Sequence, residues 1–103
     1  MHDRYLYAGL IRLHVLHHAA KEPIYGLAMI EELERHGYKI SAGTLYPILH
    51  GLEGKGYLTS TEEGRQHRAP RLSRNAPGAN ALAAAKLKVR ELFGELVEDD
   101  PAA

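Results

Sequence analysis

The sequence of 103 residues contains no cysteine and no tryptophan. Without cysteine the chain has no disulfide and no thiolate for metal binding, redox chemistry or nucleophilic attack. Its scattered glycines match neither phosphate-binding glycine motif, and the sequence offers neither a nucleophile with its base nor paired carboxylates. We therefore predict that the protein is not an enzyme and uses no cofactor.

Long apolar runs are also missing, and none approaches the length of a membrane span. An acid at Asp3, followed by Arg12 and His14 in the apolar stretch, is unlike a secretory signal. We expect a cytoplasmic protein with no membrane partner. The composition, 45% hydrophobic and 25% charged, is that of one globular domain.

The chain carries no net charge, since 13 basic residues balance 13 acidic ones. Taken alone, this balance argues against a strong nucleic-acid binder. The distribution argues the other way, because every charged residue from 65 to 90 is Lys or Arg and acids crowd the tail that follows. The basic segment can form a local positive surface.

Two helices are predicted in the first part of the chain, over residues 5–20 and 24–36, from apolar residues spaced three and four apart. The apolar positions of the first helix are Leu6, Leu10, Leu13, Leu16 and Ala20. Those of the second are Leu27, Ile30 and Leu33. Gly37 ends the second helix, and residues 38–40 can then pair briefly as a strand.

A third helix begins after Ser41 or Thr44, either of which can cap it. A Thr44 cap would leave Pro47 in the first turn, where its missing N–H costs little. Gly54 and Gly56 supply the backbone freedom that ends the helix. The positions predicted to face the core are Leu45, Ile48, Leu49 and Leu52.

The opposite side of the third helix is predicted to face outward. It carries Gly43, Tyr46, Pro47 and His50. Tyr46 and His50 are four residues apart and therefore lie on one side of the helix. An exposed aromatic ring and imidazole can meet DNA; the alternative is that Tyr46 packs against a neighbouring helix.

A hairpin follows, with strands over residues 57–61 and 65–73 and a turn at 62–64. Pro70 cannot donate to a strand ladder and belongs at an edge or a bulge, which leaves the second strand open. Residues 79–97 then form a long alanine-rich helix. Its apolar seam consists of Leu82, Ala85, Val89, Leu92 and Leu96, widened by Phe93 and Val97. This seam packs either on its own domain or, as we predict, on a second copy.

This order predicts a mainly α (α+β) fold, a winged helix-turn-helix with a two-stranded wing and a C-terminal dimerisation helix. We expect residues 1–74 to form the DNA-binding part and residues 75–103 the dimerisation helix with its acidic tail.

The chain resembles the PadR family of transcriptional regulators. The residues that carry the resemblance are 14–19 and 23–33, and above all the Gly-Thr-Leu-Tyr-Pro run within residues 41–58. The wing departs from the family pattern, because Arg68, Ala69 and Pro70 stand where relatives have an arginine-lysine and paired tyrosines. Gly51 and Gly54 likewise replace longer side chains on the third helix.

The resemblance implies a homodimeric repressor that binds double-stranded DNA and responds to a small molecule bound between its subunits. The predicted DNA contacts are Lys39, Ser41, Gly43, Thr44, Tyr46, Pro47, His50, Lys55, Arg65, Gln66, His67 and Arg68. The predicted dimer contacts are Leu82, Ala85, Val89, Leu92, Phe93 and Leu96. The residues expected to line an effector pocket are Leu13, Leu92, Phe93 and Leu96.

Two other functions are alternatives to DNA binding. One is a winged-helix adaptor that binds proteins and has lost DNA binding, which the altered wing and zero net charge would allow. The other is a metal-responsive regulator, since His14, His17 and His18 have a spacing that can place imidazoles on one metal. No Cys, Asp or Glu lies within that cluster, so the sequence predicts no metal site.

Overall fold

A computed structural model describes residues 3–61, 65–70 and 76–98. The elements are α1 (Arg4–Lys21), α2 (Gly26–Arg35), α3 (Ala42–Gly54), β1 (Thr59–Ser60), β2 (His67–Arg68) and α4 (Pro77–Phe93), which continues into a π-helical turn (Gly94–Glu98). This order confirms the predicted winged helix-turn-helix. The predicted turn at 62–64, residues 71–73 of the second strand and the end of the acidic tail lie outside the described residues.

α1 is capped by Asp3, whose side chain accepts a hydrogen bond from the Leu6 amide at 3.0 Å. Its buried stripe differs from the predicted one and consists of Ile11, Val15, Leu16 and Ala19. Leu6 and Leu10 are 67% and 42% exposed, so the prediction for them was wrong, and Ala20 is exposed as well. α1 carries two apolar stripes, and the core of its own chain covers only one of them.

α2 begins at Gly26, two residues later than predicted, because Ile24 pairs with the wing. The Ile24 amide donates to the His67 carbonyl at 3.0 Å, and the His67 amide donates back at 2.9 Å. Met29 and Leu33 are buried on α2, whereas Leu27 is exposed, contrary to the prediction. Gly37 ends the helix with a φ of 90°.

Residues 38–40 form no strand in the described structure; they are an extended link whose last residue, Ile40, is buried in the core. Ser41 then caps α3, accepting from the Thr44 amide at 3.3 Å. Pro47 therefore lies inside the helix and leaves the Gly43 carbonyl without its usual donor. As predicted, Leu45, Leu49 and Leu52 are buried and Ile48 packs beside them.

The wing is shorter than predicted. Its strands are antiparallel and pair Thr59 with Arg68 and Ser60 with His67. The Thr61 amide extends the pairing by donating to the Gln66 carbonyl at 2.7 Å. β2 stops before Pro70, in agreement with the inability of proline to donate to a ladder.

α4 packs on α1. It starts at Pro77, and Gly78 lets it approach the backbone of Tyr57, since a Cβ at Gly78 would lie 2.3 Å from the Tyr57 carbonyl oxygen. Leu82 contacts the core, whereas Val89, Leu92 and Leu96 are 45%, 47% and 62% exposed. No helix in the described ranges is long and apolar enough to span a membrane.

Candidate functional site

The outward face of α3 is the centre of the candidate site. Gly43, Tyr46, Pro47 and His50 are all exposed, as predicted. Tyr46 also packs on α2, because a Cβ at Gly26 would lie 2.5 Å from its hydroxyl oxygen. Tyr46 is nevertheless 39% exposed, so its ring both braces α3 against α2 and reaches the surface.

The start of α3 is tied to the start of α1. Nη1 of Arg4 donates a hydrogen bond of 2.6 Å to Oγ1 of Thr44, and Ser41 is occupied as the helix cap. The pairing places a guanidinium beside the first turn of α3. Arg4 was not among the predicted contacts, because no local pattern joins residues that are 40 positions apart.

The wing brings Arg65 to the same surface. Arg65 is exposed and has a left-handed backbone, with a φ of 57°. It lines a groove with Tyr46 and the N-terminal part of α2, including Tyr25, Gly26 and Glu31. The phenol of Tyr46 and a positive charge therefore share one concave surface, with Glu31 as the acid beside them.

Two residues predicted to contact DNA lie elsewhere. His67 is only 4% exposed, and its Nε2 lies 2.9 Å from Oε1 of Glu53 at the end of α3, so it joins the wing to the domain instead of facing outward. Arg68 is half-buried and lines a groove with Pro70, Gly78 and Lys86, on the α4 side of the wing. Burial of these side chains removes them from the α3 surface.

The other residues predicted to contact DNA lie at the edges of the outward face of α3. Lys39 and Lys55 are exposed at the two ends of α3. Gln66 is half-buried, and its carbonyl accepts from both the amide and the hydroxyl of Thr61. Thus two lysines flank the outward face, while the Gln66 backbone shapes the wing.

A second surface lies between α1 and α4, where an apolar groove has a volume of about 550 Å³. Leu13 and Phe93, two of the residues expected to line an effector pocket, are in its wall together with Leu10 and His17. Leu92 and Leu96 do not line this groove. Leu92 is exposed near the end of α4, and Leu96 is exposed in the π-helical turn that follows.

The histidines of α1 meet two neighbours. His14 and His17 line the α1–α4 groove, while the rings of His14 and His18 also stack on His36, the residue that caps the end of α2, and Nε2 of His18 lies 3.6 Å from Oε1 of Glu32. Burial and the neighbouring His36 lower the pKa of His14 below its ordinary value. Burial also lowers the pKa of His18, although the Glu32 carboxylate opposes that shift. Both imidazoles therefore favour the neutral form.

The chain is similar to known regulators in sequence and in structure. The family model of the "Transcriptional regulator PadR-like family" matches residues 15–73. The transcriptional regulator Rv3488 of Mycobacterium tuberculosis is 44% identical over 88 residues, which are 84% of this chain and 82% of that protein.

Two solved structures extend the similarity. A PadR family transcriptional regulator from Eggerthella lenta superposes with a TM-score of 0.66 at 29% identity and covers 93% of this chain and 88% of its own. A transcriptional regulator from Clostridium thermocellum, at 19% identity, shares the fold with a TM-score of 0.68 over 94% and 99% of the two chains. The chain belongs to the PadR-like family and is a transcriptional regulator, not an enzyme.

Proposed function

We propose that the protein is a DNA-binding homodimeric repressor that reads an inverted-repeat operator and is released by a small-molecule effector. The observation that carries the proposal is the joint exposure of Tyr46 and His50 on α3, with Tyr46 beside Arg65 of the wing. Residues 1–74 would read DNA, and the rest of the chain would pair two copies.

DNA reading is supported by the chemistry of this face. The phenol and the imidazole can donate to and accept from base edges or phosphates. Arg65 on the wing, Arg4 at the start of α3, and Lys39 and Lys55 at its ends are cations that can neutralise phosphates on either side. The zero net charge of the whole chain does not oppose this, because five of the 13 acids lie from residue 91 onward.

Pairing is supported by α4. Val89, Leu92 and Leu96 form an apolar stripe that the chain's own core leaves uncovered. A two-fold pair would present two copies of α3 to successive major grooves, with half-site centres about 10 bp apart. The operator should therefore be an inverted repeat.

Release by an effector is supported by the groove between α1 and α4. Its volume of about 550 Å³ suits a small organic molecule, and its walls are mostly apolar. Because α4 is also the proposed pairing helix, a ligand between α1 and α4 would change the spacing of the two α3 helices.

Fluorescence anisotropy with DNA from upstream of the protein's own gene tests the DNA-reading proposal. We expect salt-sensitive binding, with a log–log slope of about 0.9 per phosphate bound. Tyr46→Ala combined with Arg65→Ala should weaken binding at least about tenfold, because a good side-chain pairing with a base contributes roughly 1 to 3 kcal/mol.

Arg90→Ala is the matched control, because it removes an exposed positive charge from the α1–α4 groove instead of the α3 surface. Its affinity should stay near that of the wild type. Folded protein that binds this DNA no better than random DNA, with no salt dependence, would instead support the protein–protein adaptor.

A further inference from the structure

Four potential metal ligands come together between α1 and α2. α1 contributes His14 and His18, which are four residues apart and lie on the same side of the helix. α2 contributes Glu32, and His36 caps the end of α2. α1 packs against α2, which brings the three histidines together and places Glu32 beside His18 and His36.

The ligand atoms of this cluster lie near one another, at distances somewhat longer than those between the ligands of a bound metal. One nitrogen each from His14, His18 and His36 lies within 4.8 Å of the others. Nε2 of His18 and Nε2 of His36 are each 3.6 Å from the same atom, Oε1 of Glu32. A tetrahedral Zn²⁺ with bonds of about 2.0–2.1 Å holds its ligand atoms about 3.3 Å apart.

His18 has an unmet polar atom in this cluster. Its Nε2 is buried and makes no hydrogen bond in the described structure, since 3.6 Å to Glu32 is too long for one. A buried polar nitrogen without a partner is costly, and a coordinated cation would satisfy it. The unsatisfied Nε2 of His18 therefore indicates a ligand at this position.

The rest of the cluster is compatible with an ion that enters from solvent. The Glu32 and His36 side chains are 23% and 43% exposed, so the cluster is open on one side. Arg35 contacts Oε2 of Glu32 and leaves Oε1 directed at the histidines. Neutral imidazole is the form that binds a metal, and burial favours that form in His14 and His18.

We propose that His14, His18, His36 and Glu32 form a binding site for a divalent transition metal of the Zn²⁺ type that joins α1 to α2. Three imidazoles and one carboxylate suit Zn²⁺ and its neighbours better than Mg²⁺ or Ca²⁺, which prefer oxygen ligands only. The histidine spacing on α1 alone does not predict this site, because half of its ligands come from α2.

The site is tested on tag-free, metal-stripped full-length protein by calorimetric titration with Zn²⁺ and by the visible absorption of bound Co²⁺. We expect one Zn²⁺ per chain and tetrahedral Co²⁺ bands that Zn²⁺ abolishes. His36→Gln and His14→Gln should each weaken Zn²⁺ binding at least about tenfold, which is what removal of even a supporting residue costs a metal site.

His17→Gln is the matched control, since His17 lies on the same helix but is not among the three histidines whose nitrogens lie together. It should bind Zn²⁺ as the wild type does. Glu32→Gln, which keeps the side-chain shape, serves if a histidine variant fails to fold, and far-UV circular dichroism checks each variant. Failure of the wild type to bind Zn²⁺, or equal binding by wild type, His36→Gln and Glu32→Gln, overturns the proposal.

Discussion

The three-helix core buries its apolar side chains, whereas the final helix leaves several of its own exposed. In the core, Leu33, Leu45 and Leu49 are fully buried among α1, α2 and α3. Leu92, near the end of α4, and Leu96, in the π-helical turn that follows, are instead 47% and 62% exposed. The core therefore buries its apolar side chains within the chain, whereas α4 leaves apolar surface exposed.

The largest effect on the free energy of unfolding is expected from a substitution in the three-helix core. Leu49→Ala should lower the free energy of unfolding by about 2–5 kcal/mol, because Leu49 is fully buried and its removal leaves a cavity. Urea denaturation followed by circular dichroism measures the change. A decrease of less than about 1 kcal/mol would contradict the tight packing of α3 on α1 and α2.

A smaller effect is expected where α4 joins the core. Gly78→Ala should destabilise the fold by about 1–3 kcal/mol, since the new Cβ would meet the Tyr57 carbonyl and the α4 backbone would have to move. Gly51→Ala is the matched control within α3, because a Cβ there would have no neighbour within 4 Å. It should be neutral or stabilising by up to about 1 kcal/mol. Equal effects in the two variants would show that α4 does not approach Tyr57 closely.

The smallest effect on the single chain is expected on α4 itself. Leu96→Ala should change the unfolding free energy at low concentration by no more than about 0.5 kcal/mol, because the side chain is exposed.

Leu92→Glu should reduce the dimer fraction in sedimentation velocity at higher concentration, since the charge would enter the proposed pairing stripe. The opposite result, a dimer unchanged in Leu92→Glu, would place the subunit contact away from this stripe.

Local sequence patterns predicted most of the fold. The spacing of Leu45, Leu49 and Leu52 marked α3 and its buried side, and the predicted outward positions Gly43, Tyr46, Pro47 and His50 are exposed. Helical periodicity and capping are local properties, so they can be read without knowing the neighbours of a helix.

Side-chain burial was predicted less accurately where it depends on packing between segments that are far apart along the chain. α1 has two apolar stripes, and its periodicity favoured Leu6 and Leu10 where the core buries Ile11 and Val15. His67 belongs to a basic segment and was predicted to contact DNA, yet it pairs with Ile24 and lies next to Glu53. Composition identifies a residue type, but only packing decides whether that residue faces solvent.

The sequence by itself determined the order of the helices, the outward face of α3 and the apolar seam of α4, because each depends on residues within a few positions of one another. Only the tertiary structure decided that Arg65 joins Tyr46 on one surface and that His14 and His18 meet His36, with Glu32 beside His18 and His36. These groups are far apart along the chain. The packing of separate helices against each other and against the wing brings them together.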